Sequence, residues 1–119
     1  MLEVRELQGT VAPGADEVRA WIGNRVEDVY GAGVGRVEDV VLGADGEPAW
    51  LIVREGRFTT HEAALPIEGV VSSPGHVWVP HGREAIRSAP PVSNRQRIEG
   101  DLEARLREHY SSTAARFAA

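Results

Sequence analysis

The sequence contains no cysteine and no lysine. The missing cysteine excludes disulfides, thiolate metal sites and cysteine nucleophiles. Long apolar runs are also absent: the longest, Ala49 to Val53, is far shorter than the roughly 20 residues that span a bilayer. The first residues, Met1 to Leu7, include Glu3 and Glu6 and lack the apolar core of a signal peptide. We therefore expect a cytoplasmic protein without a membrane span.

Charge is unevenly distributed along the 119 residues, whose net charge is −5. Residues 1–92 hold 8 Arg against 14 acidic residues, a net −6, and residues 93–119 hold 5 Arg against 4, a net +1. Non-specific nucleic-acid binding depends on basic residues that neutralise phosphates. The acidic balance therefore argues against direct nucleic-acid contact and favours partners that are proteins.

The middle of the chain has the pattern of a β-rich domain, with short apolar segments separated by Gly, Pro and Asp. Asp45-Gly46 predicts a tight hairpin turn. Trp50 to Val53 is apolar at both strand parities, so we expect one face to fill the core and the other to be covered. Five strands are predicted, over Arg25 to Tyr30, Val34 to Leu42, Trp50 to Arg54, Arg57 to Leu65 and His76 to Pro80.

Helices are expected at both ends of this β-rich region. Asp16 fits the N-cap of a short helix that directs Trp21 and Ile22 into the core. Near the other end, Ser93 to Gln96 matches a capping box. The helix predicted after it places an apolar residue at every fourth position, namely Ile98, Leu102, Leu106 and Tyr110.

An isolated helix of about 20 residues is marginal in water, and Gly100 weakens it further, so this C-terminal helix needs a surface to pack on. Two interpretations are open: it packs across its own domain, or it packs on a second copy of the chain. The near-neutral tail beside the acidic body, and the doubly apolar Trp50 to Val53 segment, motivate the second, which predicts a homodimer.

Motifs with catalytic or ligand-binding potential are incomplete. Gly31 to Gly35 lacks the sixth-position glycine of a dinucleotide loop, and His61-Glu62 lacks the second histidine of a zinc-protease motif. We expect no enzyme activity, no cofactor and no metal. An enzyme or small-ligand binder stays as an alternative if His61, His76 or His81 converges with acidic groups in a pocket.

The pentapeptide Arg-Val-Glu-Asp-Val occurs twice, at Arg25 to Val29 and Arg36 to Val40. Glycines between the copies favour two consecutive strands over a helix. Adjacent carboxylates in each copy point to opposite strand faces and do not form a catalytic pair. Asp39 shares its parity with Val37 and Val41, so we predict that it is a structural anchor that accepts backbone hydrogen bonds.

An ordered series of these residues resembles the PRC-barrel family: Trp21-Ile22-Gly23, Val26, Gly31, Val34-Gly35, Val37, Asp39-Val40-Val41, Asp45-Gly46, Trp50 to Val53, Leu65-Pro66-Ile67, Val77-Trp78-Val79, and Arg83 to Pro90. The resemblance covers roughly residues 17–92. It implies a mainly β fold, a small, strongly bent barrel of about five to six strands, here followed by the amphipathic helix. It also implies protein–protein contacts and no general catalytic residues.

Three units follow: an arm at 1–16, the barrel at 17–92 and a helical tail at 93–119. The predicted function is a non-catalytic, self-associating protein–protein interaction module that binds itself or an unidentified protein. By family analogy, an adaptor in ribosome or RNA–protein assembly is an alternative. The structural and interface candidates are Asp39, Trp50, Ile52, Trp78, Ile98, Leu102, Leu106 and Tyr110.

Overall fold

The structure is a computed structural model that describes residues 13–56, 61–92 and 97–118. Within these ranges, six strands form one sheet: β1 (Arg25–Glu27), β2 (Gly33–Leu42), β3 (Pro48–Glu55), β4 (Glu62–Pro66), β5 (Val71–Ser73) and β6 (His76–Trp78). The same ranges contain three helices: α1 (Ala15–Arg19), α2 (Arg83–Arg87) and α3 (Gly100–Ala118). The mainly β prediction with a C-terminal helix is confirmed.

The strand order in the sheet is β4-β3-β2-β1-β6-β5. Neighbouring strands run antiparallel, except for the parallel pair β1 and β6. The register shifts at three places, between Val26 and Glu27, between Val37 and Asp39, and between Val41 and Leu42, as it does at bulges. Because bulges bend a strand and increase its twist, they suit the strong curvature expected of this sheet.

The hairpin between β2 and β3 is where Asp45-Gly46 predicted it. The amide of Gly43 donates to the Glu47 carbonyl at 2.7 Å, and Gly46 has a φ of 82° that favours glycine. β3 begins at Pro48, two residues before the predicted start, and its residues Trp50 to Val53 are all at most 1% exposed. The expectation that both faces of this segment are covered is confirmed.

Several local predictions need correction. Gly14, not Asp16, is the N-cap of α1, and Asp16 lies in its first turn. α1 ends at Arg19, so the following turn buries Trp21 but leaves Ile22 45% exposed, against our expectation. Strand β5 was missed, because Val71-Ser72-Ser73 is short and carries little apolar pattern. The predicted first strand ends at Glu27, where a turn begins.

Some expectations fall on residues outside the described part of the chain. These are most of the N-terminal arm, the first residues of the Arg57 to Leu65 strand, and the capping box at Ser93 to Gln96. Within the described ranges, no helix combines the length and the apolar character that a membrane crossing requires.

Candidate functional site

The C-terminal helix α3 covers about half of one face of the sheet, the face that carries Trp50, which we call the outer face. Strand alternation places Trp50, Ile52 and Arg54 on one face of β3. The guanidinium carbon of Arg107, on α3, lies 4.6 Å from the centre of the Trp50 ring. Trp50 and Ile52 are each 1% exposed, whereas Arg54, further along the strand, is exposed. We call this the covered half, made of β3 up to Ile52 together with β4.

Docking of α3 uses the side chains that the sequence singled out. Leu106 and Tyr110 are buried and Leu102 is half-buried, while Ile98 is buried although it precedes the helix. The Tyr110 hydroxyl donates to the Ala64 carbonyl at 2.7 Å, and so ties the helix to the edge strand β4. These contacts lie within one chain. They support packing of the tail across its own barrel, and self-association stays a prediction.

The rest of the outer face consists of β1, β5, β6, the segment of β2 that pairs with β1 (Gly33 to Arg36), and Arg54 of β3. We call it the bare half. Register pairs define a row of neighbours across the sheet, since paired residues share a face. Arg54 pairs with Arg36, Arg36 with Arg25, and Arg25 with His76. Three arginines and a histidine therefore stand side by side on four adjacent strands.

A groove of about 850 Å³ runs along this row and is lined by Arg25, Arg36 and Arg54, by Glu27 and Glu38, and by glycines. Arg54 Nη2 lies 3.1 Å from Glu38 Oε2, and Arg36 Nη1 donates to the Gly23 carbonyl at 3.0 Å. Among the described residues, no carboxylate lies within 4.0 Å of the guanidinium of Arg25 or of Arg36. Two exposed cations of an acidic protein are thus left without a carboxylate partner in the described part of the chain.

Two exposed apolar side chains lie on the strands next to the groove lining. Glu27, on this lining, pairs in register with Trp78, and Trp78 pairs with Val71 on strand β5. Trp78 is 37% exposed and Val71 is 59% exposed. The ring of His76 lies 5.7 Å from the Trp78 ring, and its Nε2 lies 4.0 Å from Glu27 Oε2. Trp78, predicted as an interface residue, therefore lies beside the arginine row.

The carboxylate of Asp28 holds the turn that carries Gly31, one of the residues lining the groove. Asp28 is 3% exposed; its Oδ1 accepts hydrogen bonds from the amides of Tyr30 and Ala32 at 2.9 and 2.8 Å. Its Oδ2 accepts from the amide of Arg83, the first residue of α2, at 2.8 Å. Because a carboxylate at a helix N-terminus satisfies an otherwise unpaired donor, Asp28 fixes the turn after β1 to α2.

The sequence interpretation missed Asp28 and selected Asp39. Asp39 lies next to the bulge in β2, is half-buried, and accepts a hydrogen bond from the Val40 amide at 2.8 Å. The first copy of the pentapeptide enters a turn where the second continues as a strand. Aspartate followed by glycine three positions later, as in Asp28 to Gly31, is a type I turn pattern that could have revealed this.

A second, smaller pocket of about 430 Å³ lies beside the groove and shares Gly33, Val34 and Gly56 with it. Glu55 lines this pocket, with His61 Nε2 3.8 Å from its Oε2 and Arg87 Nε 3.8 Å from its Oε1. The Arg87 distance is that of a loose ion pair, and both distances exceed those of hydrogen bonds.

The three histidines considered for catalysis lie in different surroundings. His61 lines the smaller pocket, His76 lies on the bare half, and His81 is buried with its ring 4.6 Å from that of Tyr110. Burial, with His109 nearby, lowers the pKa of His81, and burial likewise raises the pKa of Tyr110. Within the described ranges, no group of three or more His, Asp or Glu residues could hold a metal ion.

Comparison with known proteins agrees with this architecture. No curated protein is similar enough to the chain to count as a match. The PRC-barrel domain family matches residues 13–90, which is more than half of the chain and includes all six strands and α2. The chain therefore belongs to the PRC-barrel family.

Proposed function

We propose that the chain is a non-catalytic protein–protein interaction module whose partner docks on the bare half of the sheet. The observation that carries this proposal is the exposed pair of Trp78 and Val71 beside the arginine row. Tryptophan and arginine are the residues most enriched among those that dominate binding energy at protein interfaces. A rigid sheet presents them without the entropic cost of ordering a loop.

The covered half supports the same proposal by contrast. Where the sheet carries Trp50, the chain places Arg107 of its own helix over the ring, and Trp50 and its neighbour Ile52 are both buried. On the bare half, Trp78 keeps more than a third of its surface exposed. A partner protein that covers Trp78 and Val71 gains the burial energy that α3 supplies on the other half.

The partner is a different protein or a second copy of this chain, and one experiment separates the two. A tagged chain is cross-linked in lysate of its host, and the cross-linked species are identified by mass spectrometry. We expect a defined protein partner whose yield falls strongly in Trp78→Ser. Cross-links between two copies, with a dimer mass in light scattering, identify self-association.

Leu42→Ser is the matched control, because Leu42 is 36% exposed at the end of β2, nearly the same exposed fraction as Trp78. We expect this variant to retain the partner. Loss of the partner in both variants to the same extent, or no specific cross-link in the wild type, contradicts docking on the bare half.

A further inference from the structure

The arginine row costs the fold stability, which points to another reason for its presence. Like charges directly opposite each other on neighbouring strands are destabilising. Arg25 faces Arg36, and Arg36 faces Arg54, although the chain as a whole has a net charge of −5. We propose that the groove along this row binds an extended acidic segment of the partner protein. This inference rests on the proposed function and names the chemistry of the partner.

The dimensions of the row suit an extended peptide that crosses the strands. Neighbouring strands lie about 4.8 Å apart, so the three intervals from Arg54 to His76 span roughly 14 Å. An extended chain places every second side chain on the same side at intervals of about 6.7 Å. About five residues therefore cross the row and direct three side chains toward it. Carboxylates at those positions can each accept two hydrogen bonds from an arginine.

Two arginines are available without breaking an ion pair. Arg54 is held by Glu38 at 3.1 Å, whereas Arg36 donates to a backbone carbonyl. Among the described residues, Arg25 and Arg36 have no carboxylate within 4.0 Å. They are exposed in the free chain and gain charge-assisted hydrogen bonds when an acidic segment is bound.

The charges around the row favour a peptide over a nucleic acid. Glu27 and Glu38 line the same groove, so its formal charge is only slightly positive. A continuous polyphosphate would meet these two carboxylates, and the acidic chain would repel the rest of its backbone. A peptide can place its carboxylates at the arginines and neutral residues opposite the glutamates. It can also extend an apolar side chain onto Trp78, which pairs in register with Glu27 of the groove lining.

The test is a binding titration with defined probes on the full chain. The first probe is a fluorescein-labelled peptide of alternating glutamate and threonine that ends in leucine, and the second replaces each glutamate with glutamine. A labelled oligothymidylate of equal charge is the third. We expect the glutamate peptide to bind with an affinity that falls as salt is added, and to bind more tightly than the other two.

The variant Arg25→Gln with Arg36→Gln removes the two available cations, and we expect its affinity for the glutamate peptide to fall by about tenfold or more. The charge-matched control is Arg105→Gln with Arg19→Gln, because both arginines are exposed and lie on helices outside the groove. We expect it to change the affinity by less than about twofold. The variant Arg25→Lys with Arg36→Lys keeps the charge but loses the bidentate geometry. We expect its affinity for the glutamate peptide to lie between those of the groove variant and the control.

Three results would overturn the inference: equal binding of the glutamate and glutamine peptides, tighter binding of the oligothymidylate, or equal losses in the groove variant and its control. Thermal melts establish that each variant is folded, and relief of the like-charge contacts should leave the groove variant as stable as the wild type. Failure of the acidic probe together with capture of a protein through Trp78 would reject the acidic segment alone. Failure of both experiments would reject the interaction module itself.

Discussion

The two halves of the outer sheet face use similar residues for opposite purposes. The covered half places Trp50 beneath Arg107 of α3, so the tryptophan and the arginine meet within the chain. The bare half places Trp78 beside His76, the register partner of Arg25, and leaves Trp78 37% exposed. This difference is the basis of our proposal that one tryptophan–arginine surface stabilises the fold and the other binds a partner.

Substitution of the two tryptophans has the largest expected effect and tests this comparison most severely. Trp50→Ala removes a ring that is 1% exposed, and should lower the free energy of unfolding by about 3–5 kcal/mol. Trp78→Ala removes a ring that is 37% exposed and should cost roughly 1–2 kcal/mol. Urea denaturation of both variants measures the difference. Equal losses would mean that the bare half is part of the structural core.

A second pair of variants compares the two aspartates of the repeated pentapeptide. Asp28→Asn replaces a carboxylate oxygen that accepts a backbone amide with a group that donates, and should cost about 2 kcal/mol. Asp39→Asn acts on a half-buried carboxylate and should cost less than about 1 kcal/mol. Thermal melts of the two variants give the order. A larger loss for Asp39→Asn would assign the anchor to β2 and leave the groove wall without its support.

The smallest expected effect is a dependence of stability on pH through His81, which packs against Tyr110 of α3. Burial lowers the pKa of His81 from its ordinary value of 6.5, so the folded chain resists protonation there. The unfolded chain then binds more protons than the folded chain just below pH 6.5, and stability falls as pH decreases through that range. Melting temperatures between about pH 7.5 and 5.5 should fall less in His81→Gln than in the wild type.

His76→Gln is the control for this pH effect, because His76 lies on the bare half and not against Tyr110. Identical slopes in the wild type and His81→Gln would show that His81 does not carry the effect.

The covered half could be predicted from the sequence because the patterns that indicate it are local. Trp50 to Val53 is apolar at both parities, and Leu106 and Tyr110 are four positions apart, so each pattern is visible within a few residues. The family resemblance to PRC barrels came from an equally local series of residues, and the family match over residues 13–90 confirms it.

The bare half could not be predicted in the same way, because it depends on register. Arg25, Arg36 and Arg54 become neighbours only when three strands are aligned around bulges, and strand pattern alone does not place a bulge. Strand β5, which carries Val71, was itself missed. The predicted strand from Arg25 to Tyr30 includes Asp28, although the turn already begins at this residue.

Chemical-shift mapping with the glutamate peptide tests the central claim, the division of the outer face, most directly. On titration into isotopically labelled chain, we predict shifts in the amides of Arg25, Arg36 and Val71 and in the indole resonance of Trp78. The resonances of Leu106, Tyr110 and the Trp50 indole should stay in place, because α3 already covers that half. Shifts centred on α3 and Trp50, with the bare half unchanged, would contradict the account.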